Sequence, residues 1–349
     1  MREKVTITHI ALESGVSPAT VSLVLRNRPG VSDVTRARVM EVAEKVGYQV
    51  KPILNGSRNG RLQTIGMVVK TEPNLPARAN PFYSHVIIGV EDACRNNGID
   101  LLLSTMPVDD KNRPLGVPQM LTRGNADALL MVGTFVDETI TSAVGRKTCP
   151  IVLVDAYAKT DMFDAVVSDN FQAAWQAVDY LIRRGHRHIG LVGSEPDSYP
   201  SIKQRRGGYL RALREHGISE VYCADFNLMV ESGYEATKEL LKKHSQITAL
   251  FAVNDKAALA AMNAVMDTGK RVPEDISVIG YDDVDLAGNA KPPLTTMHVD
   301  TVAMGRAAVQ LIMNRLEHPE SARMTLTIHP TFVERESVAK AKAAKTARP

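Results

Sequence analysis

Between Thr6 and Leu25 the chain carries a helix stop and a helix start two residues apart, and this break constrains the fold more than any other feature. Thr6 suits the N-cap of a first helix whose inward face holds Ile7, Ile10 and Ala11. Gly15 ends that helix, because a tight turn between crossing helices favours a residue that tolerates positive φ. Ser17 is then a natural N-cap, and Pro18 sits at the first helical position, where a missing N–H costs nothing. The second helix turns Val21, Val24 and Leu25 inward and leaves Ala19, Ser22, Leu23 and Arg26 outward. A third helix follows, capped by Ser32, striped by Val39, Val42, Ala43 and Val46, and ended by Gly47. Three short helices can share one small core and hold the second rigidly enough to enter a DNA major groove. A protein-interaction module of three helices is the competing reading.

Charge distribution adds to the turn signals in favour of DNA, with plain solvated surface charge as the alternative reading. Residues 1–61 hold ten Lys/Arg against five Asp/Glu, while residues 62–337 hold 28 against 34. Residues 338–349 add four basic side chains and no acid. A basic head on an acidic body is what phosphate binding at one end requires. The 349 residues suit two or three domains. No apolar run reaches the roughly 18 residues of a membrane helix, so no membrane association is expected. Cys94, Cys149 and Cys223 lie far apart without metal-ligand spacing. Scattered thiols and no apolar leader segment fit a soluble protein of the reducing cytoplasm.

From Thr64 the texture changes. Apolar runs at 65–69, 101–103, 128–132 and 151–154, then 189–192, 249–253 and 277–279, alternate with amphipathic stretches. Those stretches fall at 82–97, 173–183, 205–216, 231–243 and 257–268. Buried runs between helices predict parallel sheets covered on both faces, in two doubly wound halves. Neither a G-x-G-x-x-G after the first strand nor a phosphate loop is present, no Ser/His/Asp set stands out, and no catalysis, cofactor or metal is expected. His186 and His188 lie where a helix passes into a strand, and the helix dipole explains basic groups there better than a metal does. Open α/β sheets bind small molecules at strand C-terminal ends, where Asp155, Asn254, Asp255 and Asp282 stand. Carboxylates and amides there suit a polyhydroxylated ligand. Asp255 and Asp283 are read as capping groups.

The segment VTITHIALESGVSPATVSLVLRNRPGVSDVTRARVMEVAEKVGY resembles the headpiece of the LacI/GalR family of bacterial transcription regulators. The resemblance continues through NPFYSHVIIGVEDACRNNGIDLLL, RRGHRHIGLVG, FAVNDKAALAAM and RVPEDISVIGYDDVDLA, and covers about residues 5–337. It implies an all-α helix-turn-helix headpiece (1–50), a hinge (51–62) and an α/β two-lobed body (63–337). The body is of the type I periplasmic-binding-protein kind and carries effector binding and dimerisation. A basic disordered tail is expected at 338–349. The implied function is a DNA-binding regulator, expected to be a repressor, reading a pseudo-palindromic operator as a homodimer. A periplasmic sugar-binding protein would share the body but lack the helix-turn-helix.

By the same resemblance, Ser17, Thr20 and Ser22, with Tyr48 and Arg26, face phosphates or base edges, and Thr6 joins this DNA-facing set. Pro18, Ala19 and Leu23 replace the larger polar residues and the arginine of many relatives, so apolar contact to thymine methyls and DNA shape are expected to replace bidentate guanine reading. At the hinge, Ser57 stands where a minor-groove leucine is common. Either Leu54 or Ile53 acts as the wedge in a shifted register, or the hinge kinks DNA little. In the body the resemblance points to Arg205, Asn254 and Asp282 as effector ligands and to Phe82 and Tyr83 as stacking rings. Asp155, Tyr199 and Ser201 complete the set. For Arg205 a structural ion pair is the alternative. The effector is expected to be a sugar or sugar derivative.

Overall fold

A computed structural model describes residues 6–25, 30–46, 48, 62–71, 80–109, 111–123, 125–144, 149–226 and 233–342. Arg26, Gly47, Ile53, Leu54 and Ser57 lie outside the described residues, as do 343–349.

The headpiece is three helices, α1 (Ile7–Ser14), α2 (Pro18–Leu25) and α3 (Asp33–Lys45). Gly15 adopts φ 69°, ψ 30°, and its N–H closes on the Ala11 carbonyl, so the turn needs the left-handed conformation that glycine supplies without strain. Ser17 Oγ accepts the Thr20 N–H at 3.1 Å, and Ser32 Oγ accepts the Thr35 N–H at 3.3 Å. Thr6 stands at the N-cap position of α1, but its side chain makes no capping bond; its carbonyl receives the N–H groups of His9 and Ile10 instead. Ile10, Ala11, Val21, Val24, Val39 and Ala43 form the buried core, with Leu25, Val42, Val46 and Tyr48 packed around it.

The body opens with β1 (Thr64–Thr71), α4 (Pro81–Asn96), β2 (Asp100–Pro107), α5 (Gln119–Arg123) and β3 (Ala128–Val132). It continues through β4 (Phe135–Val136), α6 (Glu138–Val144), β5 (Ile151–Val154), β6 (Tyr157–Ala158) and β7 (Asp164–Ser168). Next come α7 (Asn170–Arg183), β8 (Ile189–Val192), α8 (Pro200–Glu215), β9 (Tyr222–Ala224), α9 (Gly233–Lys243) and β10 (Ala249–Ala252). The last elements are α10 (Asp255–Asp267), β11 (Ser277–Ile279), α11 (Asp285–Asn289), β12 (Thr296–His298), α12 (Thr301–Glu317), β13 (Thr325–Ile328) and β14 (Thr331–Val333). No helix among the described residues is long and apolar enough to cross a membrane.

Among the described residues the two large sheets are parallel, ordered β13-β7-β5-β3-β1-β2 and β11-β10-β8-β9, with β4–β6 as a short parallel pair and β12–β14 as an antiparallel one. The inner strands β3, β8 and β10 are buried along their whole length, which is why they read as unbroken apolar runs rather than alternating ones. The chain passes between the lobes three times, from β7 to α7, from β12 to α12 and from β13 to β14. Helix α12 therefore returns to the first lobe and crosses α4, with Gly89 and Gly305 at the crossing. A Cβ on Gly89 would stand 2.1 Å from the Val302 carbonyl oxygen, so the two backbones are in contact only because the side chain is absent.

The expected tail boundary needs correction. Residues 338–342 are held on the second lobe. His186 bonds the Ala339 carbonyl at 3.1 Å and Thr248 Oγ1 at 2.9 Å. The Ala339 N–H reaches Ser277 Oγ at 3.0 Å, the Ala341 N–H reaches the Arg184 carbonyl at 2.9 Å, and Lys342 pairs with Asp275 at 2.6 Å. Backbone donors and acceptors of the body reach past Ser337, so composition alone misplaced the boundary.

Candidate functional site

On the headpiece, Ser17, Pro18, Ala19 and Leu23 are exposed, and Thr20 and Ser22 are half-buried. Ser17 and Thr20 share a hydroxyl contact of 2.9 Å at the start of α2, beside N–H groups that the helix itself leaves without partners. Leu23 is 37% exposed, a large apolar side chain on the outer face of a helix of eight residues. Tyr48 is half-buried against the headpiece core, its N–H bonded to the Ala43 carbonyl at 2.9 Å. Its ring therefore supports α3 as well as bordering the surface.

In the body a cavity of about 470 Å³ opens between the lobes. Phe82, Tyr83, Asp155, Tyr199, Ser201, Arg205, Asn254 and Asp282 all line it. They arrive from both lobes: Phe82 and Tyr83 from the start of α4, Asp155 from the end of β5, Tyr199, Ser201 and Arg205 from α8 and its approach, and Asn254 and Asp282 from the ends of β10 and β11. Three of the four non-glycine residues with positive φ among the described residues, Asn112 at 58°, Asp155 at 44° and Asp282 at 105°, line the same cavity. Backbone held in that region costs energy and persists where the surroundings impose it, as at a binding site.

Arg205 forms the structural ion pair and also lines the cavity. It is 5% exposed; Nε donates to Asn170 Oδ1 at 2.8 Å and Nη1 to the Val253 carbonyl at 2.5 Å. Nη2 stands 3.1 Å from Asp282 Oδ1, and the guanidinium lies 3.7 Å from the Tyr281 ring centroid. A guanidinium has five N–H donors, so donors remain for a ligand after these contacts. Asp282 Oδ1 is buried, and among the described residues this ion pair is the contact that serves it. Burial pushes the Asp282 carboxyl up to about 6, with the charge of Asp155 adding and Arg205 opposing. Asp155 is likewise raised, by burial above all, with Arg205, the Tyr83 bond and Lys70 opposing.

The tyrosines divide by role. The Tyr83 hydroxyl donates to Asp155 Oδ2 at 2.9 Å, and Phe82 meets the Tyr83 ring edge-on at 5.2 Å. The Tyr199 hydroxyl donates across the cleft to the Asp155 carbonyl at 2.9 Å, so it joins the lobes and presents mainly its ring to the cavity. Asn254 caps α10, its Oδ1 accepting the Ala257 N–H at 2.8 Å, which leaves its amide donors for other partners. Asp255 acts as cement rather than a cap: it takes Thr296 Oγ1 at 2.6 Å and the Val284 N–H at 2.8 Å, and burial lifts its carboxyl to about 7. Asp283 pairs with Arg335 at 2.7 Å and His298 at 3.1 Å, again tying loops together.

Sequence reading missed Lys70, Lys111, Asn112 and Asp197, which also line the cavity. Lys70 is 7% exposed, bonds Asn112 Oδ1 at 2.8 Å and lies 5.3 Å from the Tyr83 ring centroid. It is a charged residue near the C-terminal end of an otherwise buried strand, the same signal that singled out Asp155.

Residues 6–50 match the family model described as "Bacterial regulatory proteins, lacI family", and residues 178–338 match a "Periplasmic binding protein-like domain". The chain is 31% identical over 341 residues to the HTH-type transcriptional repressor PurR of Aliivibrio salmonicida (strain LFI1238), covering 96% of this chain and 99% of that protein. The chain belongs to the lacI family. The HTH-type transcriptional repressor CytR of Escherichia coli (strain K12) is 32% identical over 314 residues, covering 89% of this chain and 90% of that protein. Among solved structures, a transcriptional regulator CelR–cellobiose complex superposes with a TM-score of 0.67 at 28% identity, covering 96% of this chain and all of that one. A LacI family transcriptional regulator from Enterococcus faecium with bound ribose gives 0.69 at 27% identity, covering 80% of this chain and all of that one. As a lacI-family member the chain is a DNA-binding transcription regulator and not an enzyme. Its fold is the expected helix-turn-helix joined to a two-lobed body.

Proposed function

We propose that this lacI-family protein is a homodimeric, cytoplasmic repressor whose operator affinity is set by a sugar or sugar derivative bound between the lobes. The observation that carries the reading is the convergence of eight side chains, nominated from strand ends and motifs, on one interlobe cavity. Arg205 and Asn254 supply donors, Asp282 and Asp155 supply acceptors, and the faces of Phe82, Tyr83 and Tyr199 supply apolar cover. Mixed donors and acceptors beside aromatic rings suit a ring with several hydroxyls. The relatives with bound cellobiose and ribose support that class.

Two headpieces on a two-fold axis read a pseudo-palindromic operator, with Ser17, Thr20 and Ser22 on phosphates and base edges, and Pro18, Ala19 and Leu23 in apolar contact. The effector shifts operator affinity by its differential affinity for two lobe arrangements, and the arrangement it prefers sets the sign, induction or corepression. A gel shift with the DNA upstream of the chain's own reading frame tests the DNA half. The expected result is a sequence-preferring shift that weakens steeply with salt. A shift equal on unrelated DNA, or none, overturns the reading.

A further inference from the structure

We propose that Lys111 and Asp197 form an ion-pair latch across the mouth of the cleft, which holds the two lobes together independently of effector and gates its exchange. The inference rests on the two-lobed effector reading and adds a regulatory part that belongs to neither wall alone. Lys111 comes from the first lobe, in the turn of a hairpin closed by a Val108–Pro114 bridge. That turn is stiff. Asp109 Oδ1 accepts the N–H groups of Lys111 at 2.9 Å and Arg113 at 2.8 Å. The Asn112 carbonyl accepts the Phe135 N–H at 2.9 Å, and Asn112 Oδ1 holds Lys70.

Asp197 comes from the second lobe, in the loop between β8 and α8. Ser198 Oγ accepts the Glu195 N–H there at 2.9 Å, which braces the loop from inside. Lys111 Nζ donates to Asp197 Oδ2, and both residues line the cavity. Their side chains are 45% and 59% exposed, so the pair lies at the rim, not on the floor. The neighbouring Lys111 ammonium holds the Asp197 carboxyl below its usual range. At depth, the buried Tyr199–Asp155 bond joins the same two lobes. The cavity is thus bracketed by one contact that water screens and one that it does not reach.

The consequence is a difference in response. A rim pair in water contributes little and is weakened by salt, whereas the buried bond is insensitive to it. The pair therefore acts on the rate and extent of opening at the mouth, and an entering ligand must part it. Hydrogen–deuterium exchange on the full-length protein, with no ligand and no DNA, reads this directly. Lys111→Met and Asp197→Asn are each expected to speed exchange in residues 108–114 and 193–199 by about two- to fivefold at low salt. Raising salt should speed the wild type toward the single variants and leave those variants unchanged. The charge-swapped double variant K111D/D197K should return toward wild-type protection, which separates a lost pair from local misfolding. Wild-type exchange in both single variants, or no recovery in the swap, overturns the latch. Neither outcome bears on DNA binding, which the gel shift tests separately.

Discussion

At the residue scale, the cleft is a set of groups that satisfy one another incompletely. Arg205 keeps spare donors beside an Asp282 oxygen that, among the described residues, is served by the Arg205 ion pair alone. Replacing Arg205 by Lys removes the planar fork, and effector affinity is expected to fall tenfold or more (about 1.5–3 kcal/mol for a charge-assisted bond). Isothermal titration with whichever sugar stabilises the wild type in a thermal-shift screen reads this; an unchanged Kd would remove Arg205 from the site. A second prediction concerns pH. Asp255 is raised to about 7 in the folded chain, against an unfolded carboxyl near 3.9. Its contribution to stability is full below about pH 4 and is lost as pH rises through about 7. The melting temperature of Asp255→Asn should therefore decline less than that of the wild type between pH 4.5 and 7.5. Parallel curves would contradict the assignment.

At the element scale, close helix crossings and the bound C-terminal segment position the cleft walls. Gly89→Ala forces α4 and α12 apart at a 2.1 Å approach and is expected to cost about 1–3 kcal/mol, seen as a lower urea midpoint. Gly116→Ala, with nothing within 4 Å of the added carbon, serves as the neutral comparison. If the two variants unfold alike, the crossing does not depend on the missing side chain. On α2, Leu23→Arg should move the preferred half-site toward guanine at the facing step, since arginine adds a bidentate donor pair that leucine lacks. Identical selected half-sites for the two proteins would refute a base-facing Leu23.

Element signals also show what could be read from the chain beforehand. The helix-turn-helix was legible because Gly15, Ser17 and Pro18 are local backbone signals, and the body strands because buried parallel strands are plain apolar runs. Lys70 was overlooked because one lysine after TIGMVV looks like a strand ending at solvent, and only the fold shows Asn112 and two tyrosine rings around it. Thr6 takes the N-cap position read from its type but makes no side-chain capping bond, because residue type fixes the preference and not the hydrogen bond. Residues 338–342 looked like a tail because their partners, His186, Ser277 and Asp275, are remote in sequence.

At the scale of the whole molecule, three chain passages join lobes that share one cavity, so small changes in lobe angle are available to a ligand bound between them. Coupling between effector and operator is reciprocal and typically amounts to about 1–3 kcal/mol. Fluorescence anisotropy of labelled upstream DNA, titrated with the protein at fixed salt with and without the saturating sugar, measures that coupling. A shift in operator Kd of about fivefold or more is expected for the wild type, and a markedly smaller one for Asp282→Asn at the same sugar concentration. An operator Kd that no saturating cleft ligand changes would contradict this expectation.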